Sequence, residues 1–359
     1  MSSSPASQSL PTEARKECAL PIASPHQRES FTVFDTLAPR PRRCGIVLAA
    51  GDGTRLRSYV RSLRGRSLPK QYVAFIGTRS MLEHTYARVE RTLPPLRIFT
   101  VVGRGHLRHA EARRQLISRP RGRVVFQPVN RDTLPGLLLP LLHLRRYYPD
   151  SLVAVFPSDH YILEEELFMR HVELAMDAVE RQPDRLVLLG VKPTEEETDY
   201  GYILPDKKRS DFPLGGVRRF VEKPDAAAAH HLIRKGALWN TMVLVFHTAA
   251  FLALVERTLP DIISWFVPID GALGTPDEQA VIQEAYARMM PLNLSKDLFE
   301  SLGPADRGTL SVLPVRGVTW SDWGSEDRIP LAVRPADAWH EGDPHEKGED
   351  ARPRQVPDR

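Results

Sequence analysis

Residues 44–56 read Cys44-Gly45-Ile46-Val47-Leu48-Ala49-Ala50-Gly51-Asp52-Gly53-Thr54-Arg55-Leu56. Ile46 to Ala50 is a short, wholly apolar run, the pattern of a strand buried on both faces of a parallel sheet. It breaks at Gly51-x-Gly53, where glycines let the backbone turn tightly and present bare N–H groups to an anion. Thr54 adds a hydroxyl, and Arg55 a planar fork matched to phosphate oxygens. The short basic loop that follows carries Arg57, Arg61, Arg64, Arg66 and then Pro69-Lys70-Gln71, so positive charge is expected to gather where a triphosphate would lie. This is no dinucleotide fingerprint, because the third glycine is missing, and no P-loop, because no Gly-Lys-Ser/Thr closes it. A tight turn after a core strand would account for the motif alone. Its partners further along the chain decide the reading.

From Cys44 onward, short apolar runs alternate with amphipathic stretches. Strands are predicted at 98–102, 124–126, 152–156 and 186–191, with helices over 81–91, 106–117, 136–148 and 168–181. That alternation predicts an α/β fold, a Rossmann-like doubly wound and mostly parallel sheet covered on both faces. Ligands in such folds sit at the carboxyl ends of the strands. After residue 191 the texture changes, and runs at 200–204, 217–224 and 242–246 read as strands of a smaller, second β layer suited to a sugar. Helices over 249–259 and 276–289 and a strand over 310–314 complete the folded part, predicted to span 43–334. Residues 1–42 and 335–359 are polar, charged and proline-containing and are read as flexible extensions. Phe31-Thr32-Val33-Phe34 is the one stretch of the first extension that could dock on the domain.

Composition narrows the function classes. Hydrophobic residues make up 42% and charged residues 26% of the 359, ordinary for a soluble globular chain. No apolar run approaches the roughly 20 residues needed to span a bilayer, and the N-terminus lacks the apolar core of a secretory signal. The expectation is a cytoplasmic protein with no membrane partner. The two cysteines, Cys18 and Cys44, exclude a disulfide framework or a cysteine zinc site. The net charge is +4, and the one dense basic stretch lies on the glycine loop rather than in a stripe interleaved with aromatics. Small phosphorylated ligands explain that better than nucleic acid.

Four further clusters carry chemistry. Asp159 follows a buried strand in Pro157-Ser158-Asp159-His160, where a carboxylate could hold Mg²⁺ against phosphates or cap a turn. Asp322, in Trp320-Ser321-Asp322-Trp323-Gly324, is a second metal candidate, since Mg²⁺ takes one or two carboxylates and fills its shell with phosphate oxygens and water. Glu222-Lys223-Pro224 sets an acid and a base side by side, facing opposite ways unless the strand ends there. Trp239-Asn240-Thr241 offers an indole and an amide of the kind that line sugar sites, or a turn before a core strand.

With these on the page, the chain resembles the sugar-1-phosphate nucleotidylyltransferases, and most of all the mannose-1-phosphate guanylyltransferases. The resemblance rests on motifs in family order: 48–56, Pro69-Lys70-Gln71, Asn130-Arg131-Asp132-Thr133, 156–160, Thr198-Asp199-Tyr200-Gly201-Tyr202-Ile203, 220–224, 239–241 and 320–324. It implies a reaction in which a sugar-1-phosphate oxygen attacks the α-phosphorus of an NTP and pyrophosphate leaves. It further implies that Ala49, Ala50, Gly51, Gly53, Thr54, Arg55, Lys70, Asn130, Thr133 and Ser158 bind the nucleotide. Gly201, Glu222, Lys223 and Asn240 would surround the sugar phosphate, with Lys223 on its phosphate. Arg55, Lys70, Asp159 and Asp322 would form the catalytic set, the two aspartates holding Mg²⁺. The expected partners are GTP and mannose 1-phosphate, with a homo-oligomer compatible.

Three places depart from the family pattern. Ala50 stands where a glycine is usual. Asn130-Arg131-Asp132-Thr133 replaces the usual Gly-Arg-Asn-Thr, and Thr241-Met242 follows Trp239-Asn240 where Ser-Gly is usual. The same motifs therefore leave open another base or sugar, or a non-catalytic relative that binds nucleotide sugars and regulates a partner.

Overall fold

The computed structural model describes residues 41–211 and 213–329. Apart from Pro41 and Arg42, the extensions expected at 1–42 and 335–359, with Phe31 to Phe34, lie outside the described residues.

Eleven strands occur among the described residues: β1 Arg42–Ala49, β2 Ile98–Gly103, β3 Val124–Gln127, β4 Ser151–Pro157, β5 Tyr161–Ile162, β6 Leu186–Val191, β7 Gly201–Asp211, β8 Leu214–Glu222, β9 Leu238–His247, β10 Leu310–Val315 and β11 Trp320–Ser321. Nine form one sheet in the order β3-β2-β1-β4-β9-β6-β10-β8-β7, and β11 pairs with β5 in a separate ribbon. β3, β2, β1 and β4 run parallel, as do β6 and β10, while β9 lies antiparallel between β4 and β6. The expected α/β sheet is present. One placement is corrected: β7, β8 and β9 do not make a second layer but are hydrogen-bonded into the same sheet. Tyr202, Val221, Val243 and Val245 enter one core and Ile203, Val217, Phe220, Leu244 and Phe246 the other, so joining the sheet buries both sides.

The alternation explains the double winding. Val47, Ala49, Leu152, Ala154 and Phe156 enter one core, with Met81, Leu82, Tyr86 and Val89 of the helix Met81–Val89 and the apolar face of Glu165–Arg181. Cys44, Ile46, Val153 and Val155 enter the other, with the helix Thr133–Tyr147. That helix tolerates Pro140, which costs about 3 kcal/mol in a helix interior. It buries seven leucines, each contributing roughly 1.5–3 kcal/mol, so packing overrides propensity. The predicted helix over 106–117 is split into a single tight turn, Arg104–Arg108, and a helix, Ala110–Ile117. The basic loop after Leu56 instead contains a helix, Arg57–Arg64, which the crowding of arginines hid.

Candidate active site

β1 and β4 lie side by side, with Leu48 opposite Pro157, so the glycine loop and Ser158-Asp159 emerge at the same end of the sheet. The Ser158 N–H donates to the Leu48 carbonyl over 3.1 Å. Gln71 fixes the loop, its amide nitrogen donating to the carbonyls of both Ala49 and Gly51 over 2.9 Å. Gly53 has φ 58°, and a Cβ there would lie 3.0 Å from the Lys70 backbone nitrogen, so the turn demands glycine. Asp322 is delivered by the ribbon. β11 pairs Trp320 with Ile162 and Ser321 with Tyr161, which sets Asp322 beside the turn that carries Asp159.

The predicted catalytic set converges. The ammonium of Lys70, a residue 6% exposed, lies 3.0 Å from Asp159 Oδ2 and donates to the carbonyls of Asp322 over 2.6 Å and Trp323 over 3.3 Å. Arg55 donates to Asp199 Oδ2 over 2.9 Å and to Asp322 Oδ2 over 3.3 Å. Asp322 Oδ1 is saturated by the Tyr200 hydroxyl, the Gly324 N–H and Arg328, each at 2.8 Å, which leaves Oδ2 facing Arg55. A Cβ at Gly324 would lie 2.4 Å from Asp322 Oδ2 and 2.9 Å from the Arg55 guanidinium, so glycine is what leaves room for the pair. Burial alone would raise the Asp322 pKa. Lys70, His160, the Tyr200 hydroxyl and Arg328 outweigh it and hold the carboxyl down at about 2. Burial lowers the pKa of neighbouring His160 to about 4, so it is neutral at pH 7 and adds its charge beside Asp322 only in the acid range where that carboxyl titrates.

Not all the predicted basic residues share this duty. Arg66 pairs with Glu111, and Arg64 donates to the Ala74 carbonyl. Charge at the cleft comes from Arg55 and Lys70 rather than from the whole run, because the helix Arg57–Arg64 turns its arginines into solvent.

A cavity of about 580 Å³ opens beside these groups, lined by Ala50, Gly51, Asn130, Thr133 and Ser158 of the predicted nucleotide set and by Asp159 of the predicted metal pair. Its inner wall is apolar Leu48, Val101 and Gly136, with the Gln127 amide among them. Gln127 is 1% exposed, and its Oε1 has no hydrogen-bond partner among the described residues. Sequence reasoning missed it; the available signal was a polar residue closing an apolar strand just before a proline. Arg328 was also missed, for it carries no motif. Thr133 Oγ1 accepts from the Leu294 N–H over 2.8 Å, so this hydroxyl also braces the cavity rim.

The predicted sugar residues gather beyond the cavity. Gly201 is paired with Glu222 across β7 and β8, and a Cβ at Gly201 would lie 2.7 Å from Glu222 Oε2 and 3.4 Å from the Asn240 Cβ. β8 ends at Glu222 and Lys223 takes φ 49°, so the alternation of faces stops there and Lys223 is exposed. Between cavity and sugar residues stands Met242. It has φ 58° in the middle of β9, where the β6–β9 register shifts between Leu188 and Gly190. Its sulfur accepts from the Asn240 amide over 3.4 Å and from the Ser295 hydroxyl over 3.3 Å.

A sequence model described as Nucleotidyl transferase matches residues 44–329. The chain belongs to the nucleotidyl transferase family. It is 34% identical over 218 residues to xanthan biosynthesis protein XanB of Xanthomonas campestris, a match covering 60% of this chain and 44% of XanB. It is 31% identical over 226 residues to a mannose-1-phosphate guanylyltransferase of Escherichia coli, covering 61% and 47%. The chain spans about half the length of the curated relatives it matches. Among solved structures it is similar to one from Thermus thermophilus described as mannose-1-phosphate geranyltransferase. There the TM-score is 0.69 at 26% identity, over 85% of this chain and 81% of that one. A mannose-6-phosphate isomerase structure from Helicobacter pylori, at 19% identity and TM-score 0.58, shares the fold; it covers 78% of this chain and 99% of that one.

Within this member of the family, Glu222 is electrostatically distinctive. Burial, reinforced by Glu300 and Asp132 and opposed by Lys223, raises its pKa to about 7. An unfolded glutamate ionises near about 4.3. The protonated side chain therefore stabilises the fold fully below that value, and the contribution is lost as pH rises through the folded value. Glu222→Gln, which fixes the neutral form, should flatten the fall in Tm between about pH 5 and pH 7. Parallel Tm–pH curves for variant and parent would refute this.

Proposed function

We propose that this chain transfers a nucleotidyl group from an NTP to a sugar 1-phosphate, releasing pyrophosphate and forming an NDP-sugar. The observation that carries this reading is the meeting of Arg55, Lys70, Asp159 and Asp322 beside a cavity that Asp159 and Met242 line, with Met242 bonded to Asn240 and Glu222 close by across Gly201. One end of the cleft suits a nucleoside, the other a phosphorylated sugar, and the charges lie between. Such transfers need positioning and charge neutralisation more than a covalent catalyst, and the attacking phosphate is already an anion. No general base is required.

The donor set suits Mg²⁺. Asp159 and Asp322 offer hard carboxylate oxygens, Asp322 Oδ2 has only Arg55 against it among the described residues, and Mg²⁺ takes few protein ligands when phosphates supply the others. Among the described residues no cluster of three or more ligand-type side chains occurs, which fits an ion shared with substrate rather than caged by protein. Bound there, Mg²⁺ would neutralise phosphate charge and help orient the reacting groups. The protein's own part is to hold the triphosphate on the N–H groups of the Gly51–Gly53 turn, with Arg55 and Lys70 drawing off charge as pyrophosphate separates.

GTP and mannose 1-phosphate form the leading pair, supported by the names of the relatives. An amide in an apolar wall, here that of Gln127, offers an acceptor and N–H donors, the complement of the N1–H and O6 edge of guanine and equally of the N3–H and O4 edge of uracil or thymine, so the choice of guanine rests on the names of the relatives. We assign Gln127 to base recognition. Gln127→Leu should raise the NTP KM about tenfold or more, as a buried base edge loses its partners, and leave the sugar-phosphate KM unchanged. Equal effects on both would assign the residue to packing. No described helix is long and apolar enough to cross a membrane; we place the reaction in the cytoplasm.

The test is pyrophosphate release, with and without Mg²⁺, crossing the common NTPs with a panel of sugar 1-phosphates. Release restricted to GTP and mannose 1-phosphate is the expected result. Release with another pair would keep the mechanism and correct the specificity. No release with any pair, alongside nucleotide-sugar binding, would replace the proposal by a regulatory role.

A further inference from the structure

β9 is a central strand, flanked by β4 and β6, and it is interrupted where the β6–β9 register shifts. Irregularities of this kind re-aim side chains beside active sites, and a position with φ 58° is one that glycine occupies without strain. Here a long, flexible thioether occupies it. A residue held in the left-handed region persists where the surroundings over-determine it, and such strain gathers at functional sites.

Three observations say what Met242 does. It lines the nucleotide cavity. It engages the amide of Asn240, which the family resemblance assigns to the sugar. It also takes the Ser295 hydroxyl, from the single turn of wide helix Leu294–Glu300 that carries Glu300 to the Glu222 N–H over 3.3 Å. The side chain is thus a partition where the nucleoside end passes into the sugar end.

We propose that Met242 is a specificity-determining residue that restricts the acceptor to sugar 1-phosphates bearing hydroxyls alone, and excludes those with an acetamido group. This rests on the nucleotidyl transfer proposed above. A partition of this size removes the room a bulky substituent needs, and its sulfur keeps one Asn240 donor from the sugar. Methionine suits the task because its unbranched chain fills an irregular gap.

The test compares the parent with Met242→Gly and Met242→Ala on mannose 1-phosphate and N-acetylglucosamine 1-phosphate, together with equilibrium binding of the matching nucleotide sugars. Both variants should reduce the preference for the plain hexose at least tenfold in kcat/KM, a larger change than any in the NTP KM. Met242→Gly should also have a higher Tm than Met242→Ala, because only glycine relieves the backbone. An unchanged preference with either variant would overturn the proposal, as would a change confined to the NTP KM. If the parent turns over no sugar phosphate, the transfer reading fails. The binding ratio of the two nucleotide sugars then judges Met242 alone: a ratio shifted tenfold in the variants supports the partition, and an unshifted one overturns it.

Discussion

Asp322→Asn should lower kcat by about a thousandfold while the protein stays folded. The asparagine carbonyl can replace Oδ1 and keep the donors from Tyr200, Gly324 and Arg328, so the local hydrogen bonds survive. What is lost is Oδ2 as an anion: the proposed Mg²⁺ contact, and the counter-charge to Arg55. Stability should respond as well. The folded carboxyl titrates at about 2, below its unfolded value, so the charge stabilises the fold above the unfolded pKa. That benefit fades as pH falls through about 2, and the variant lacks it throughout. Paired measurements of kcat at saturating substrate and of Tm at neutral pH check both parts. A folded variant turning over at near the parental rate would remove Asp322 from the chemistry.

The second large effect is expected at Lys70. Lys70→Met keeps the stem's packing but deletes the ammonium, leaving Asp159 without its partner and the Asp322 and Trp323 carbonyls without a donor. Breaking a buried pair costs about 3–5 kcal/mol; since Asp159 is part-exposed, about 2 kcal/mol is the better expectation. Turnover should fall by about two to four orders of magnitude, because the same ammonium would face the departing pyrophosphate. Lys70→Arg should not restore it, as a planar fork does not fit a site shaped for a compact point charge. Denaturant melts and single-turnover rates on all three proteins provide the comparison; rescue by arginine would argue that bulk positive charge suffices.

Much of this was legible in the sequence, and the physics says why. β1, β4 and β6 are buried on both faces, so they read as unbroken apolar runs that no other element mimics. The glycine loop, Asp159 and Asp322 were visible because each sits where a strand ends in turn chemistry. The placement of β9 was not visible. Its Val-Leu-Val-Phe run says strand but carries no mark of its neighbours, and its antiparallel insertion depends on pairing with β4 and β6 at once. Gln127 and Arg328 were missed for a related reason. One is defined by an empty hydrogen-bonding position and the other by a salt bridge to Glu197, and both exist only after folding.

The insertion of β9 also sets the order in which the sheet can close. β4 and β6 are both synthesised before the strand that joins them, and each must wait with an edge of unpaired N–H and C=O groups until residue 247 has left the ribosome. β6 gains its other neighbour, β10, only at residue 315. The nascent chain therefore carries one open edge on β4 and two on β6, all strongly apolar, until β9 emerges, and the second edge of β6 stays open until β10 follows. Such non-local pairing is slow, and exposed edges of this kind are where aggregation begins. Cutting the gene between β6 and β9 would leave those edges open for good, so the two parts should not yield two soluble pieces.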